Sequence, residues 1–381
     1  MNKQTDLSAA ETSGVRQQKL QLLHVVRRYG PVGGMERYVW ELTLQLQQLG
    51  YDITVVCERC HVDKPAGIKV IELGEVTQRP GWLAALRFDR RLTRWLVANP
   101  QAGRLIHSHE RISSHDVTTF HGPPFASVFE KPWWKLISLR VAMRLFQERR
   151  ELTQARFIVP NSQLIKQQLA HYYPEYAHKL TIPIIPGVKV GVLREQHKVN
   201  SDGGVIGFVG KEWQRKGLPL AVAIVGELRR TRPKLKLVVV GPAASEVRHL
   251  FVDWQCCFKP LGWSDQVHYA EFDVLLHPAR AEPYGMVISE AMAAKVPVVI
   301  SDVCGAAIQI TSPEAGAVLS LGAPVSDWVE ALEQQLSRTT QVPQFEHGWG
   351  VVAQKYARFY RRHFTAENGY SLTYSCEPVW L

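Results

Sequence analysis

Glu282 and Glu290 stand eight positions apart, and the residues between them say what two carboxylates there could do. Pro283 and Gly285 break the chain, and 286–294 is made mostly of good helix formers. The amides around Gly285, Met286 and Val287 are then unpaired donors at a helix N-terminus, which attracts phosphate or another anion. Glu282 comes just before that end, and Glu290 lies about one and a half turns inside it. Acceptor-only carboxylates beside an anion-binding helix end suit a ligand that has both phosphate and sugar hydroxyls. A nucleotide sugar has both.

A second loop, 210–217, reads Gly-Lys-Glu-Trp-Gln-Arg-Lys-Gly and gathers Lys211, Arg215 and Lys216 after a strand. Cations there can neutralise a pyrophosphate and stabilise a departing nucleoside diphosphate; the competing reading is a solvated charge run. A third loop carries Gly33 and Gly34, where backbone can approach a ligand closely, although two glycines alone are also a plain turn. Neither the dinucleotide fingerprint G-x-G-x-x-G nor the P-loop pattern G-x-x-x-x-G-K-[ST] is present, which counts against a nicotinamide enzyme and a P-loop nucleotidase. No D-x-D occurs, so no metal is expected through that motif, and Lys and Arg take the cation's role. His107 and His109 could form a metal pair on one strand face, but histidines satisfied near a cleft are favoured. Cys57 and Cys60 form a lone C-x-x-C without a second ligand pair, so reduced thiols are expected rather than zinc.

These loops need elements to hold them. Apolar runs at 20–26, 52–57, 68–73, 104–109, 117–120 and 157–159 predict strands, with helices at 35–49, 82–97, 133–152 and 162–172. The pattern restarts with strands at 204–209, 235–240, 272–276 and 296–300 and a helix at 218–230. Continuous apolar strands alternating with helices predict parallel sheets covered on both faces, hence two doubly wound domains. The expected division is a disordered lead-in over 1–19, a first domain over 20–190, a second over 204–345, a last helix over 346–364 and a tail over 365–381. Ligands bind outside the carboxyl ends of parallel strands. The three loops therefore predict a cleft between two domains, with a nucleotide held mostly by the second.

The 381 residues are 46% hydrophobic and carry a formal net charge of +10, which three partners could explain: nucleic acid, an anionic membrane surface or phosphorylated substrates. No apolar run approaches the ~18 residues of a membrane span. The stretch from Trp133, Trp134 and Lys135 through Arg140 and Arg144 predicts a basic amphipathic helix, with Trp134, Ile137, Val141 and Leu145 on one face. Such a helix is either an interfacial anchor or a helix packed on its own domain with a solvated basic face.

The ordered set of segments resembles glycosyltransferase family 4. It comprises Gly33-Gly34-Met35-Glu36, Thr119-Phe120-His121-Gly122, Pro160-Asn161-Ser162, the 210–217 loop, Leu261-Gly262-Trp263, Phe272-Asp273-Val274 and the E-x7-E segment from Glu282 to Glu290. The resemblance implies the GT-B fold, two Rossmann-like domains facing each other across a cleft, and a retaining transfer of a sugar. It implies that Lys211 and Lys216 contact donor phosphates, assisted by Arg215. It places Glu282 on the transferred sugar, the amides near Gly285, Met286 and Val287 on sugar and diphosphate, and Glu290 on the ribose. Gly262 and Trp263 would lie near the base, Gly33 and Gly34 would close the cleft, and His121 would sit beside the reacting carbon. The last helix would cross back to the first domain. The sequence departs from the family in Pro186-Gly187-Val188, where Asn-Gly-Val is common, and in Ala279, where serine is common.

The expectation is a hexosyltransferase that takes a nucleotide diphosphate sugar, UDP-sugar first, to a bacterial envelope glycan or glycolipid, with lipopolysaccharide core the leading acceptor. No cofactor is expected, the nucleotide sugar being a co-substrate. A cytoplasmic location is expected, peripheral at the inner membrane if the basic helix anchors it. Two other classes stand against this reading: a GT-B nucleotide-sugar epimerase and a basic nucleic-acid binder.

Overall fold

The computed structural model describes residues 20–75, 79–195, 198–252, 254, 256–264 and 266–364. The expected lead-in and tail lie outside them. Six strands build the first sheet: β1 (Gln21–Val25), β2 (Asp52–Cys57), β3 (Ile68–Glu72), β4 (Arg104–Ser108), β5 (Val117–Phe120) and β6 (Phe157–Pro160). Six more build the second: β7 (Val205–Val209), β8 (Lys236–Val240), β9 (Phe258–Gly262), β10 (Val274–His277), β11 (Val298–Ser301) and β12 (Gly316–Leu319). All strands pair in parallel, in the spatial order β3-β2-β1-β4-β5-β6 and β9-β8-β7-β10-β11-β12. Both orders reverse beside the opening strand, so each domain has a switch point where a ligand can enter, between β1 and β4 and between β7 and β10.

The helices are α1 (Gly34–Gln48), α2 (Gly81–Ala98), α3 (Leu139–Gln154), α4 (Gln163–Tyr172), α5 (Leu218–Leu228), the single-turn α6 (Ala244–Val247), α7 (Met286–Ala293), α8 (Val325–Ser337) and α9 (Trp349–His363). Central strands are buried on both faces because helices cover both, as in β10, where all four residues are buried. Leu42, Leu46, Val55 and Leu105 pack one face of the first sheet, and Leu23, Val56, Phe88 and Ile106 the other. Leu218, Val225, Leu237 and Trp328 pack one face of the second sheet, and Leu275, Ile288, Met292 and Ile300 the other. Trp349, Val352, Tyr356 and Tyr360 of α9 belong to the first domain's core, against α1. The link at 186–188 runs under this helix. The Val188 N–H donates to the His347 carbonyl at 2.8 Å, and a Cβ on Gly187 would stand 2.8 Å from the Trp349 Cα.

The expected helix over 133–152 is two pieces. Trp133–Lys135 is one 3-10 turn after Pro132, and α3 begins only at Leu139. Ser138 is extended, at φ −158° and ψ 130°, and its carbonyl accepts the first α3 amides from Val141 and Ala142. Ser favours a cap over a helix interior, and here it divides the segment. Trp134 and Ile137 therefore do not share a helix face with Val141 and Leu145.

Candidate active site

The second switch point holds a buried carboxylate among nitrogens. β10 ends at His277, and the chain turns through Ala279 and Ala281 to bring Glu282 back toward the strand end. The Gly305 N–H donates to the Glu282 carbonyl at 2.9 Å and fixes the turn. Glu282 Oε2 lies 2.8 Å from Lys216 Nζ, 3.3 Å from His277 Nε2 and 3.7 Å from an Arg215 guanidinium nitrogen. Burial alone would raise this carboxyl. The His277 hydrogen bond and the Lys216 ammonium reverse that and hold it well below the usual carboxylate range. Burial pushes the His277 imidazole down, so a neutral ring donates to Glu282. Glu282 is thus an ionised acceptor, unsuited to giving a proton.

Lys216 reaches Glu282 because Gly210, at φ +158°, has no Cβ; one would stand 2.0 Å from the Lys216 Cδ. Arg215 is held by Glu212 and by the Ala281 carbonyl, so the loop after β7 is tied to the loop after β10. Lys211 has no carboxylate partner among the described residues; its ammonium lies 5.6 Å over the Trp263 ring. Lys211, Trp213, Arg215, Gly241, Gly262 and Trp263 line an open depression of about 690 Å³. It offers free cationic charge and aromatic faces, the chemistry a diphosphate and a flat base require.

α7 starts at the other side of Glu282. Gly285 caps it at φ +96°, and Met286 touches the cores of both domains. Glu290, one turn in, meets Arg37 of α1 at 3.1 Å and accepts from the Tyr269 hydroxyl at 2.6 Å. Both its oxygens are therefore engaged, one with the opposite domain. Arg37 was not singled out from sequence, since nothing local marks a contact 253 positions away.

The first domain faces this site with α1 and the end of β5. Gly33 caps α1; a Cβ there would strike the Glu36 carboxylate at 2.3 Å, whereas one on Gly34 would meet nothing within 4 Å. His121 follows β5, half-buried, its ring edge-on to Tyr38. Asn161 Nδ2 donates to the His121 carbonyl at 3.1 Å, and Ser162 Oγ donates to the Pro283 carbonyl at 2.7 Å. These two neighbours bring His121 to the loop that carries Glu282. Asn161, Ser162 and His277, to which the motifs assign no role, hydrogen-bond to His121, to the Pro283 carbonyl and to Glu282. Trp133, Trp134 and Arg140 lie apart from this cluster on an exposed surface with the backbone of Lys135; Arg144 rests 5.3 Å over the Phe125 ring. His107 is satisfied by the Tyr360 hydroxyl at 2.6 Å and Thr119 at 2.7 Å.

Two parallel six-stranded α/β domains, meeting at their carboxyl-end loops, define the GT-B class of glycosyltransferases. Residues 32–186 match the Glycosyltransferase Family 4 model and 203–338 the Glycosyl transferases group 1 model, and the chain belongs to this glycosyltransferase family. D-inositol 3-phosphate glycosyltransferase of Kineococcus radiotolerans is 25% identical over 398 residues, 87% of this chain and 91% of that protein. Lipopolysaccharide glucosyltransferase WaaG of Escherichia coli K12 is 26% identical over 178 residues, 44% of this chain and 45% of that protein. A crystal structure of WaaG covers 91% of this chain and 98% of its own at a TM-score of 0.71 and 18% identity. The structure of HepE of Anabaena with UDP and glucose gives 0.59 and 16%, over 90% of this chain and 99% of that one. Among the described residues, no helix is long and apolar enough to cross a membrane.

Proposed function

We propose that the protein moves a hexose from a nucleotide diphosphate sugar, with UDP as the nucleotide, to a bacterial envelope glycolipid of the lipopolysaccharide-core type, with retention and without a metal. The observation that carries this is the ionised Glu282 held by Lys216 beside an unneutralised Lys211. A carboxylate that only accepts can grip sugar hydroxyls, while the cations take the charge that grows on the diphosphate. The bond from the anomeric carbon to the phosphate oxygen breaks. The acceptor oxygen bonds on the same face, and its proton passes to the leaving phosphate oxygen. No second carboxylate is needed as base. Gly33, Gly34 and α1 close over the donor, Gly262 and Trp263 hold the base, and the start of α7 holds the diphosphate. Glu290 meets the ribose by sharing its oxygens with Arg37 and Tyr269. The UDP and glucose bound to HepE and the lipopolysaccharide role in WaaG's name support the donor and acceptor chosen.

The exposed Phe129, Trp133, Trp134, Ile137 and Leu139, with Arg140 beside them, form the face toward a membrane-held acceptor. The deciding experiment incubates the protein with UDP-, GDP- and ADP-hexoses, with and without lipopolysaccharide-core acceptor, in chelator. Transfer from the UDP-sugar with retained anomeric configuration is expected. An altered sugar released without acceptor would make the protein an epimerase, and loss of activity in chelator would restore a metal.

A further inference from the structure

We propose that His24 and His109 are positioning residues that fix the tautomer of His121, so that its ring presents Nδ1–H, a hydrogen-bond donor, to the cleft. Three adjacent strands supply the rings. His24 is in β1, directly opposite His107 of β4; His109 follows β4 by one residue and His121 follows β5 by one. Alternate residues of a strand share a face, so His107 and His109, like Thr119 and His121, project to the side covered by α1 and α9. The three rings form one hydrogen-bonded chain. His121 Nε2 lies 2.9 Å from His109 Nδ1, and His109 Nε2 lies 3.2 Å from His24 Nδ1. The far nitrogen, His24 Nε2, is buried with no partner.

A neutral imidazole has one N–H and one lone pair, so this chain has only two polarities. Burial keeps all three rings neutral, pushing His24 and His121 down to about 3 and His109 well below its ordinary value. In one polarity every Nδ1 carries the proton, His24 leaves a bare lone pair unpaired, and His121 shows Nδ1–H outward. In the other every Nε2 carries it, and His24 leaves an N–H unpaired in the core. Buried orphan N–H groups are rarer than under-used acceptors, which selects the first. His107 does not bias the choice, because its partners, Tyr360 and Thr119, are hydroxyls that can donate or accept.

His121 Nδ1 has no partner among the described residues, the ring is half-buried, and its backbone is tied through Asn161 and Ser162 to the loop that carries Glu282. It would therefore donate to a ligand oxygen and could not take a proton there. Only the identity of that oxygen rests on the proposed sugar transfer; the tautomer itself is measured without ligand, so the two readings fail separately.

The test is a two-bond proton–nitrogen correlation spectrum of the full chain with 15N-labelled histidine. His24, His109 and His121 are expected with protonated Nδ1 and bare Nε2. A His121 signal with protonated Nε2 overturns the proposal, and this readout needs no variant. His24→Asn puts an amide N–H where Nδ1–H stood, and His121 is expected to keep its pattern. His24→Asp puts an acceptor-only carboxylate where the Nδ1–H donor stood, so His109 is expected to carry its proton on Nε2 and His121 to reverse to Nε2–H; an unchanged His121 pattern in the folded variant overturns the positioning role. His24, His107 and His109 also offer nitrogens within 4.8 Å of one another. Stoichiometric zinc in the purified protein would overturn the proposal too, since a cation needs lone pairs where the chain needs protons.

Discussion

Lys216 and Glu282 fail differently when separated. Lys216→Met leaves a buried carboxylate without its nearest cation, and breaking a buried pair costs about 3–5 kcal/mol. Glu282→Gln leaves the Lys216 ammonium without its carboxylate, but that side chain is the more exposed of the two and keeps an amide oxygen as acceptor, so the cost is expected to be smaller and urea midpoints should rank the two in that order. Both should lower turnover by about 100-fold, since each removes charge aimed at the ligand; near-normal turnover in either would remove these residues from the site. The acid behaviour follows from the sign of the Glu282 shift. Its folded value lies well below the ordinary 4.5, so the stability it contributes is complete above about pH 4.5 and is lost as pH falls toward the folded value. Between pH 6 and pH 3 the wild type should lose stability more steeply than Glu282→Gln. Parallel curves would mean that Lys216 and His277 do not hold the carboxylate as the geometry requires.

Elements aim these residues, and α7 shows how tightly. Gly285→Ala puts a Cβ 2.7 Å from the Ile288 Cδ1 at φ +96°, a left-handed conformation that costs an L-residue about 1–2 kcal/mol. The melting temperature should fall by roughly 2–4 °C per kcal/mol, and UDP binding should weaken because the helix end moves. A stable variant that still binds UDP normally would detach the diphosphate from this helix. Both sheets' central strands were legible as apolar runs, to within two residues, because burial on both faces erases polar alternation. The edge strands β9 and β12 were not: Lys259 and Pro260 interrupt β9, and β12 is four residues long and opens on Gly316. The break at Ser138 was hidden for another reason: apolar spacing of three and four continues across it, and only the extended backbone shows it. The loops at 210–217 and 282–290 were legible as motifs. The histidine chain was not, because its rings are alternate residues on three strands far apart in sequence. The exposed turn before α3 carries its own test. Trp133→Ser with Trp134→Ser should abolish flotation with anionic liposomes and leave the melting temperature unchanged, as both rings are mostly exposed. Wild type that does not float would return this surface to the solvent.

At the scale of the whole molecule, the last helix closes the first domain. Trp349, Val352, Tyr356 and Tyr360 fill a core whose buried residues before α9 all lie within 22–184. The Tyr356 hydroxyl joins Tyr38 at 2.9 Å to Thr119 at 2.8 Å, and Tyr360 holds His107. At about 1.5–3 kcal/mol for each large buried side chain, these four contribute about 6–12 kcal/mol. That is comparable to the whole stability of an ordinary domain. The first domain therefore cannot complete its core until the chain is nearly finished, and the same helix keeps the 186–188 link against it. A chain ending at Phe345 should keep the second domain's cooperative melt and lose the first domain's. Near-ultraviolet circular dichroism and hydrogen exchange at Val39 and Leu42 of α1 and Ile53 of β2 would show this as lost protection in the first domain, with Leu237 and Leu275 still protected. Equal protection in both sheets would mean that α9 is an appendage. In the expected outcome the arrangement has a functional consequence: the histidine face and α1, which meet the Glu282 loop, are assembled only when the chain has crossed both domains.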